Sequence, residues 1–341
     1  MTPSLFKIAT KELSQDAFFT WLLQWADQKN ATSNASLHKM AVEFTKFLIG
    51  QQQEITDLTI SIVEAERQRK NIDIWAEVNS AYLIIIEDKT NSGEHTDQLS
   101  RYMEIAKEEY KQSSFKHVFI YLKTGNEDIR TLKEIKKKGY AVVDRKAILN
   151  IFSSFKVDSE IFNEFNNYLI HIEDQTNAFI DFNRLKNNRR AAEGFYLRLQ
   201  EILPEWTGWK YVSNPTGGFL GFFYHYNGTE DYTLYIQIEN NLRGDIKVVV
   251  KIDEWDQKTG TLYKILGGLQ PYSKKYGLDL TKPDRYKAGG TSTVAILKNA
   301  FKVAESGQLD IENFMVNIGN LEKVMNEYIE QDKTRNFKSN E

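Results

Sequence analysis

The sequence contains no cysteine, only 5 prolines and no long hydrophobic run. The lack of cysteine excludes disulfides, thiolate-ligated zinc, iron–sulfur clusters and a thiol nucleophile. The longest strongly apolar run, residues 81–86, has six residues, whereas a helix that crosses a bilayer needs about 20. Residues 1–13 show no secretory signal pattern. We therefore expect a cytoplasmic protein that has no membrane partner.

An excess of charge of one sign is also missing, because 44 basic and 47 acidic residues leave a net charge of −3. Neither half of the chain is strongly basic, so only local patches could favour nucleic-acid binding. The sequence motifs of phosphate-binding loops, dinucleotide folds, zinc proteases and serine hydrolases are absent as well. What remains is the composition of a folded protein, 41% hydrophobic and 27% charged, with a length typical of two domains.

Residues 1–175 alternate between helical and strand patterns. The strand pattern at 82–88 is apolar on both faces, which is typical of a central strand covered on both sides. The order is helix, three strands in a meander, helix, strand, helix, strand, helix, and it predicts an α/β domain with a mixed sheet between helices. Helices are predicted over 12–25, 37–49 (capped by Ser36), 96–111, 128–138, 145–155 and 159–173, and strands over 58–66, 71–78, 82–88, 118–122 and 140–143.

Residues 176–341 show a different pattern, which predicts a second domain of the α+β class. One long helix is expected over 179–202, and turn signals separate several β-rich segments from one another. The tail from residue 332 is polar and is expected to fray. The predicted strands cover 219–226, 233–239 and 247–251, and the later helices cover 295–304 and 311–330.

The most informative residues lie at the end of the apolar strand 82–88, where the chain changes abruptly to Glu87-Asp88-Lys89. Because alternate residues of a strand share a face, Glu87 and Lys89 are expected to point one way and Asp88 the other. Asp73 lies on the preceding strand of a predicted hairpin. With the right register, Asp73 and Glu87 come side by side at the edge of an apolar core.

Two carboxylates in that position repel each other and are poorly solvated, so one is protonated unless a cation lies between them. All-oxygen ligation suits a hard divalent ion such as Mg²⁺ or Mn²⁺. Lys89 would then be close enough to orient or deprotonate the attacking water, or to neutralise charge on a phosphoryl group. The alternative is an ordinary ion pair at the end of a strand, formed by Asp73, Glu87 and Lys89.

The sequence resembles the PD-(D/E)XK nuclease superfamily in one motif and its setting. Asp73 is followed after fourteen residues by Glu87-Asp88-Lys89, within the order of helices and strands given above. The resemblance implies a restriction-endonuclease-like αβββαβ core over 1–175. It implies that Asp73 and Glu87 bind Mg²⁺, that Asp88 offers only its main-chain carbonyl and that Lys89 assists the attacking water. Ile72 stands where the family pattern has proline.

The same resemblance extends to two further residues. The family often places another acid on the first helix, where Glu12 fits best and Asp16 is its rival. Many members carry a glutamine near an aromatic residue on the helix after the motif, and here Gln98 precedes Tyr102 by four residues. The alternatives are that Glu12 is a helix-start acid favoured by the macrodipole and that Gln98 is a surface residue.

The sequence therefore predicts a Mg²⁺-dependent nuclease whose partner is nucleic acid, DNA rather than RNA, and which cuts endonucleolytically. The pattern around 16–23 resembles bacterial members found near restriction or phage-defence systems. Cleavage of both strands of a duplex favours a homodimer. Basic segments at 67–70 and 184–190 are candidates for backbone contacts. Two alternatives stay open: the same hydrolysis on RNA, and a non-catalytic nucleic-acid- or protein-binding regulator on this scaffold.

Overall fold

The structure is a computed structural model, which describes residues 4–9, 11–93, 97–110, 114–203, 206–215 and 217–339, with side chains as far as 334. The chain divides into two compact units, residues 1–174 and residues 175–341. The predicted helix limits at 96 and 111 lie outside the described residues. Within the described part of the chain, no helix combines the length and the apolar character that crossing a membrane requires.

The first unit is built on a five-stranded mixed sheet with the order β1-β2-β3-β4-β5. The first three strands form an antiparallel meander, and β3, β4 and β5 run parallel to one another. This arrangement confirms the predicted fold class. The strands are β1 (Val63–Arg69), β2 (Ile72–Val78), β3 (Tyr82–Lys89), β4 (Lys116–Lys123) and β5 (Ala141–Asp144).

Helices cover both faces of this sheet, which explains why β3 is apolar on both sides. Ile84 and Ile86 of β3 pack in a core with α2, α3, α6 and α7. Leu83 and Ile85 point the other way, into a smaller core with α4 and α5. The helices are α1 (Leu5–Ile8), α2 (Glu12–Gln24), α3 (Ala35–Gly50), α4 (Gln98–Glu109), α5 (Ile129–Lys137), α6 (Arg145–Ser153) and α7 (Glu160–Asn177).

Two local predictions for this unit were wrong. The predicted strand 58–66 begins only at Val63, since the alternation in its first residues belongs to an irregular segment. Helix α3 is capped by Asn34, whose side chain accepts the Leu37 N–H at 3.0 Å, so Ser36 is not the cap. Asparagine and serine both suit this role, and their spacing alone does not distinguish them.

The second unit is an antiparallel six-stranded sheet with the order β10-β11-β9-β8-β7-β6. Alternate residues of the central strands, such as Ile236 and Val250, pack in one core with helices α8 to α11. The strands are β6 (Gly208–Val212), β7 (Phe219–Gly228), β8 (Thr233–Asn240), β9 (Ile246–Asp253), β10 (Leu280–Thr281) and β11 (Ser292–Leu297). The helices are α8 (Phe182–Asn187), α9 (Arg189–Ile202), α10 (Thr259–Lys275) and α11 (Ile311–Ser339).

The sequence prediction was less accurate here. The long helix expected over 179–202 is interrupted at Asn188, which leaves helical geometry and caps α9 through the Ala191 N–H. The apolar run expected to start a helix at 295 is strand β11, paired with β9, because short apolar runs fit either structure. Helix α10 and strand β6 were missed, and α11 continues through the tail that was expected to fray.

Candidate active site

The end of the β2–β3 hairpin brings Asp73 and Glu87 together. The last registered pair is Ile74 opposite Ile86, so the next step along both strands places the two acids side by side. Their carboxyl groups lie within hydrogen-bonding distance of each other. Asp73 Oδ2 also accepts the main-chain N–H of Asp88 at 3.0 Å, which holds the Asp73 carboxylate against β3.

Lys89 and Gln98 complete this cluster around Glu87. Lys89 Nζ contacts Glu87 Oε1, as expected for two residues on the same face of a strand. Gln98, the first residue of α4, donates from Nε2 to Glu87 Oε2 at 3.1 Å and to the Tyr102 hydroxyl at 2.7 Å. The structure thus brings four of the predicted site residues into one cluster.

Burial and the neighbouring Asp73 carboxylate raise the pKa of Glu87 to about 8. Glu87 is fully buried, so its charge is poorly solvated. Burial lowers the pKa of Lys89, but the contact with Glu87 outweighs it, and the pKa rises on balance. Without a cation, Glu87 therefore keeps its proton at neutral pH, where an exposed carboxyl group would have lost it.

Glu12 reaches the same end of the sheet from the first turn of α2, but its described contacts are with the segment after β3. Its Oε1 accepts the Thr90 N–H at 3.1 Å, the Thr90 hydroxyl at 3.3 Å and the Ser92 hydroxyl. Burial raises the pKa of Glu12, but these donors and Lys89 together lower it by more, so the pKa lies below its ordinary value. Glu12 is thus held as a carboxylate near Lys89.

The side chain of Asp88 lies on the opposite face of β3, fully buried against α2. It accepts a hydrogen bond from Gln15 Nε2, and Thr124 Oγ1 donates to Gln15 Oε1 at 2.6 Å. Asp16 interacts with Asp88, and burial raises the pKa of Asp16 to about 7. The sequence prediction missed this side-chain role; the signal available was a carboxylate at the end of a strand covered on both faces.

The two basic segments considered for phosphate contact are partly neutralised within the protein. Arg69 pairs with Glu66 at 2.8 Å and with Glu77 at 3.3 Å. In the second unit, Arg189 pairs with Glu193 at 2.8 Å. A phosphate backbone would therefore compete with acidic partners for these arginines.

The residues of the cluster fit a hard divalent cation. Among the described residues, no three His, Asp or Glu side chains are grouped closely enough to form a complete ligand set. The expected set needs only two, since Asp73 and Glu87 would be joined by the Asp88 main-chain carbonyl. A cation would neutralise the charge of these two neighbouring carboxyl groups, of which Glu87 is buried with a pKa of about 8 and Asp73 is half-buried.

Comparison with known proteins gives one significant match, to a family model. No curated protein and no solved structure matches the chain significantly. A family model described as the PD-(D/E)XK nuclease superfamily matches residues 4–182, more than half of the chain and all of the five-stranded sheet. This confirms the resemblance drawn from Asp73 and the motif at 87–89. The chain belongs to the PD-(D/E)XK nuclease superfamily.

Proposed function

We propose that the first unit is a DNA endonuclease that depends on Mg²⁺ or Mn²⁺. The observation that carries the proposal is the contact of the Asp73 and Glu87 carboxyl groups, with Lys89 bound to Glu87 at the end of a buried strand. Groups buried with perturbed pKa values at such a position are typical of catalytic sites. The set of Asp73, Glu87 and Lys89 is complete, which favours turnover over a purely regulatory role.

In the proposed site, Asp73, Glu87 and the Asp88 carbonyl hold the cation, and Glu12 lies alongside. When bound, a divalent cation polarises the scissile phosphate and lowers the pKa of a water molecule. The amide of Gln98 fixes the orientation of Glu87 through its 3.1 Å hydrogen bond.

Lys89 supplies a positive charge rather than a base in this proposal. Its pKa is raised by Glu87, so its ammonium group stays protonated at neutral pH and donates hydrogen bonds. Such a group orients the attacking water and stabilises negative charge that develops on the phosphate.

The choice of DNA, the role in restriction or phage defence and the homodimer all rest on the family resemblance and belong to the same proposal. Sedimentation of the protein alone and with duplex DNA tests the homodimer. Protection of host cells against phage infection, compared with an Asp73→Asn strain, tests the defence role.

The decisive experiment incubates the protein with supercoiled plasmid, linear single-stranded DNA and RNA, each with Mg²⁺, Mn²⁺ or EDTA. We expect nicking or linearisation of the plasmid with either metal and none in EDTA. Asp73→Asn should lower the rate roughly 1,000-fold, while Glu64→Gln, an exposed acid on the neighbouring strand β1, should leave it unchanged. Cleavage of RNA alone would mean that the substrate is RNA and not DNA. Full activity of Asp73→Asn would refute the proposed site.

A further inference from the structure

Lys123 is a buried lysine at the end of β4, in the strand position paired with Lys89. Its side chain is only 2% exposed. Its Nζ donates to the main-chain carbonyl of Ser92 at 2.6 Å and pairs with Glu127 Oε2 at 3.0 Å. A buried ammonium group is costly unless it is paired, so this environment is built around the charge.

The contact with Ser92 connects Lys123 to Glu12. While the Ser92 carbonyl accepts from Lys123, the hydroxyl of the same residue donates to Glu12 Oε1. Thr90, two residues earlier, adds its main-chain N–H to the same oxygen at 3.1 Å. Lys123 therefore binds the same short segment, residues 90–92, whose donors bind Glu12.

The backbone around this connection is tightly packed. Thr124 N–H donates to the Lys89 carbonyl at 3.2 Å, which continues the β3–β4 pairing past the end of the strands. A Cβ atom at Gly125 would lie 1.9 Å from the Thr90 carbonyl oxygen, so only glycine allows this approach. The segment at 90–92 consequently has little freedom to adjust if one of its contacts is removed.

We propose that Lys123 is a positioning residue for the metal site, acting through Ser92 to hold the Glu12 carboxylate beside Lys89. This inference rests on the proposed function, since it concerns the acid expected to lie alongside the cation. The competing explanation is that Lys123 and Glu127 form an ion pair that contributes to stability alone. The two explanations differ in whether the loss of Lys123 changes metal affinity through Glu12.

Calorimetric titration of the full chain with Mn²⁺ alone distinguishes them without relying on cleavage. Lys123→Met keeps the length of the side chain and removes the donor, and we expect roughly tenfold weaker Mn²⁺ binding, the usual scale for residues that orient a ligand. Ser92→Ala removes the hydroxyl that donates to Glu12 and should also weaken Mn²⁺ binding. In the Glu12→Gln background, neither substitution should weaken binding further.

Lys251→Met is the matched control, because Lys251 is a lysine of low exposure in the second unit that lies 3.8 Å from Glu239. It should leave Mn²⁺ affinity unchanged. If Asp73→Asn fails to reduce Mn²⁺ binding, the proposed metal site is refuted, and this inference with it. Suppose instead that Asp73→Asn abolishes binding. If Lys123→Met and Ser92→Ala then leave Mn²⁺ affinity unchanged, only the role of Lys123 is refuted. The same holds if they weaken Mn²⁺ binding as much in the Glu12→Gln background as in the unmodified protein.

Discussion

The two units bury charge in different ways. In the first, Glu87, Asp88, Lys89 and Lys123 form a group of buried charged side chains at the ends of two paired apolar strands. In the second, the described strands bury mainly uncharged polar groups such as Gln237. Both units form a sheet covered by helices, so a sheet of this kind does not require a buried charge cluster. The cluster in the first unit therefore points to function.

The largest expected effect tests whether acidic residues of the two units differ in their importance for cleavage. Glu87→Gln should lower cleavage roughly 1,000-fold, because it removes a carboxylate on which the proposed site depends. Glu239→Gln in the second unit alters a carboxylate paired with Lys247 at 3.0 Å and should leave the rate within a factor of two. Initial rates of plasmid nicking measure both. Equal effects from the two variants would remove the functional distinction between the units.

The pH dependence of stability is the next effect. The pKa of Glu87 is about 8 in the folded protein against 4.5 for the free side chain, so the fold retains a proton that the unfolded chain has lost. In EDTA, the free energy of unfolding of the first unit should therefore fall as the pH rises from about 5 to 8, by roughly 3 kcal/mol.

Since the cation requires the ionised carboxylate, Mg²⁺ should raise the melting temperature more at pH 8.5 than at pH 6. Calorimetric melting across this range, with and without Mg²⁺, provides the measurement. A stability that does not change with pH, or stabilisation by Mg²⁺ that is greater at pH 6, would contradict the electrostatics derived for Glu87.

A smaller effect is expected from the buried pair of Asp16 and Asp88. The folded pKa of Asp16 is about 7, above its ordinary 3.8, so its ionisation opposes folding as the pH rises toward 7. Asp16→Asn removes the carboxylate and should therefore stabilise the protein more at pH 8 than at pH 4.5. Urea unfolding at the two pH values measures the difference. An equal change at both would show that the pair does not share a proton.

The smallest effect tests the other side of the comparison. Lys247 is paired with Glu239, but its side chain is 39% exposed, and partly exposed pairs contribute little. Lys247→Met should change the free energy of unfolding by less than about 1 kcal/mol and should not change cleavage. A loss of several kcal/mol would mean that charge pairs in the second unit are as important to the fold as the buried cluster is in the first.

How much could be read from the sequence differed between the units. In the first, strand β3 was predictable because an apolar segment ending in three charged residues fits few structures other than a covered central strand. In the second, the run at 294–297 fits a helix or a strand, and its pairing with β9 decided the outcome. The interruption of the helix at Asn188 could not be predicted from the sequence either, since asparagine also occurs inside helices.

The candidate site was also predictable only in part. Strand alternation placed Glu87 and Lys89 on one face, and the hairpin placed Asp73 beside them. The resemblance suggested a site role for Gln98 without naming its partner, and the structure shows that it donates to Glu87. Lys123 gave no signal, because a lysine at the end of a strand is usually exposed and only its partners show otherwise.

The sequence by itself determined the order of elements in the first unit, the three charged residues that end β3 and their alternation, because these follow from local periodicity. The tertiary structure decided which distant groups meet them. Ser92 and Lys123 are 31 residues apart and join only because β3 and β4 pair in parallel with one register. Burial, which raises the pKa of Glu87, also belongs to the packed structure, since it depends on helices that local sequence does not place.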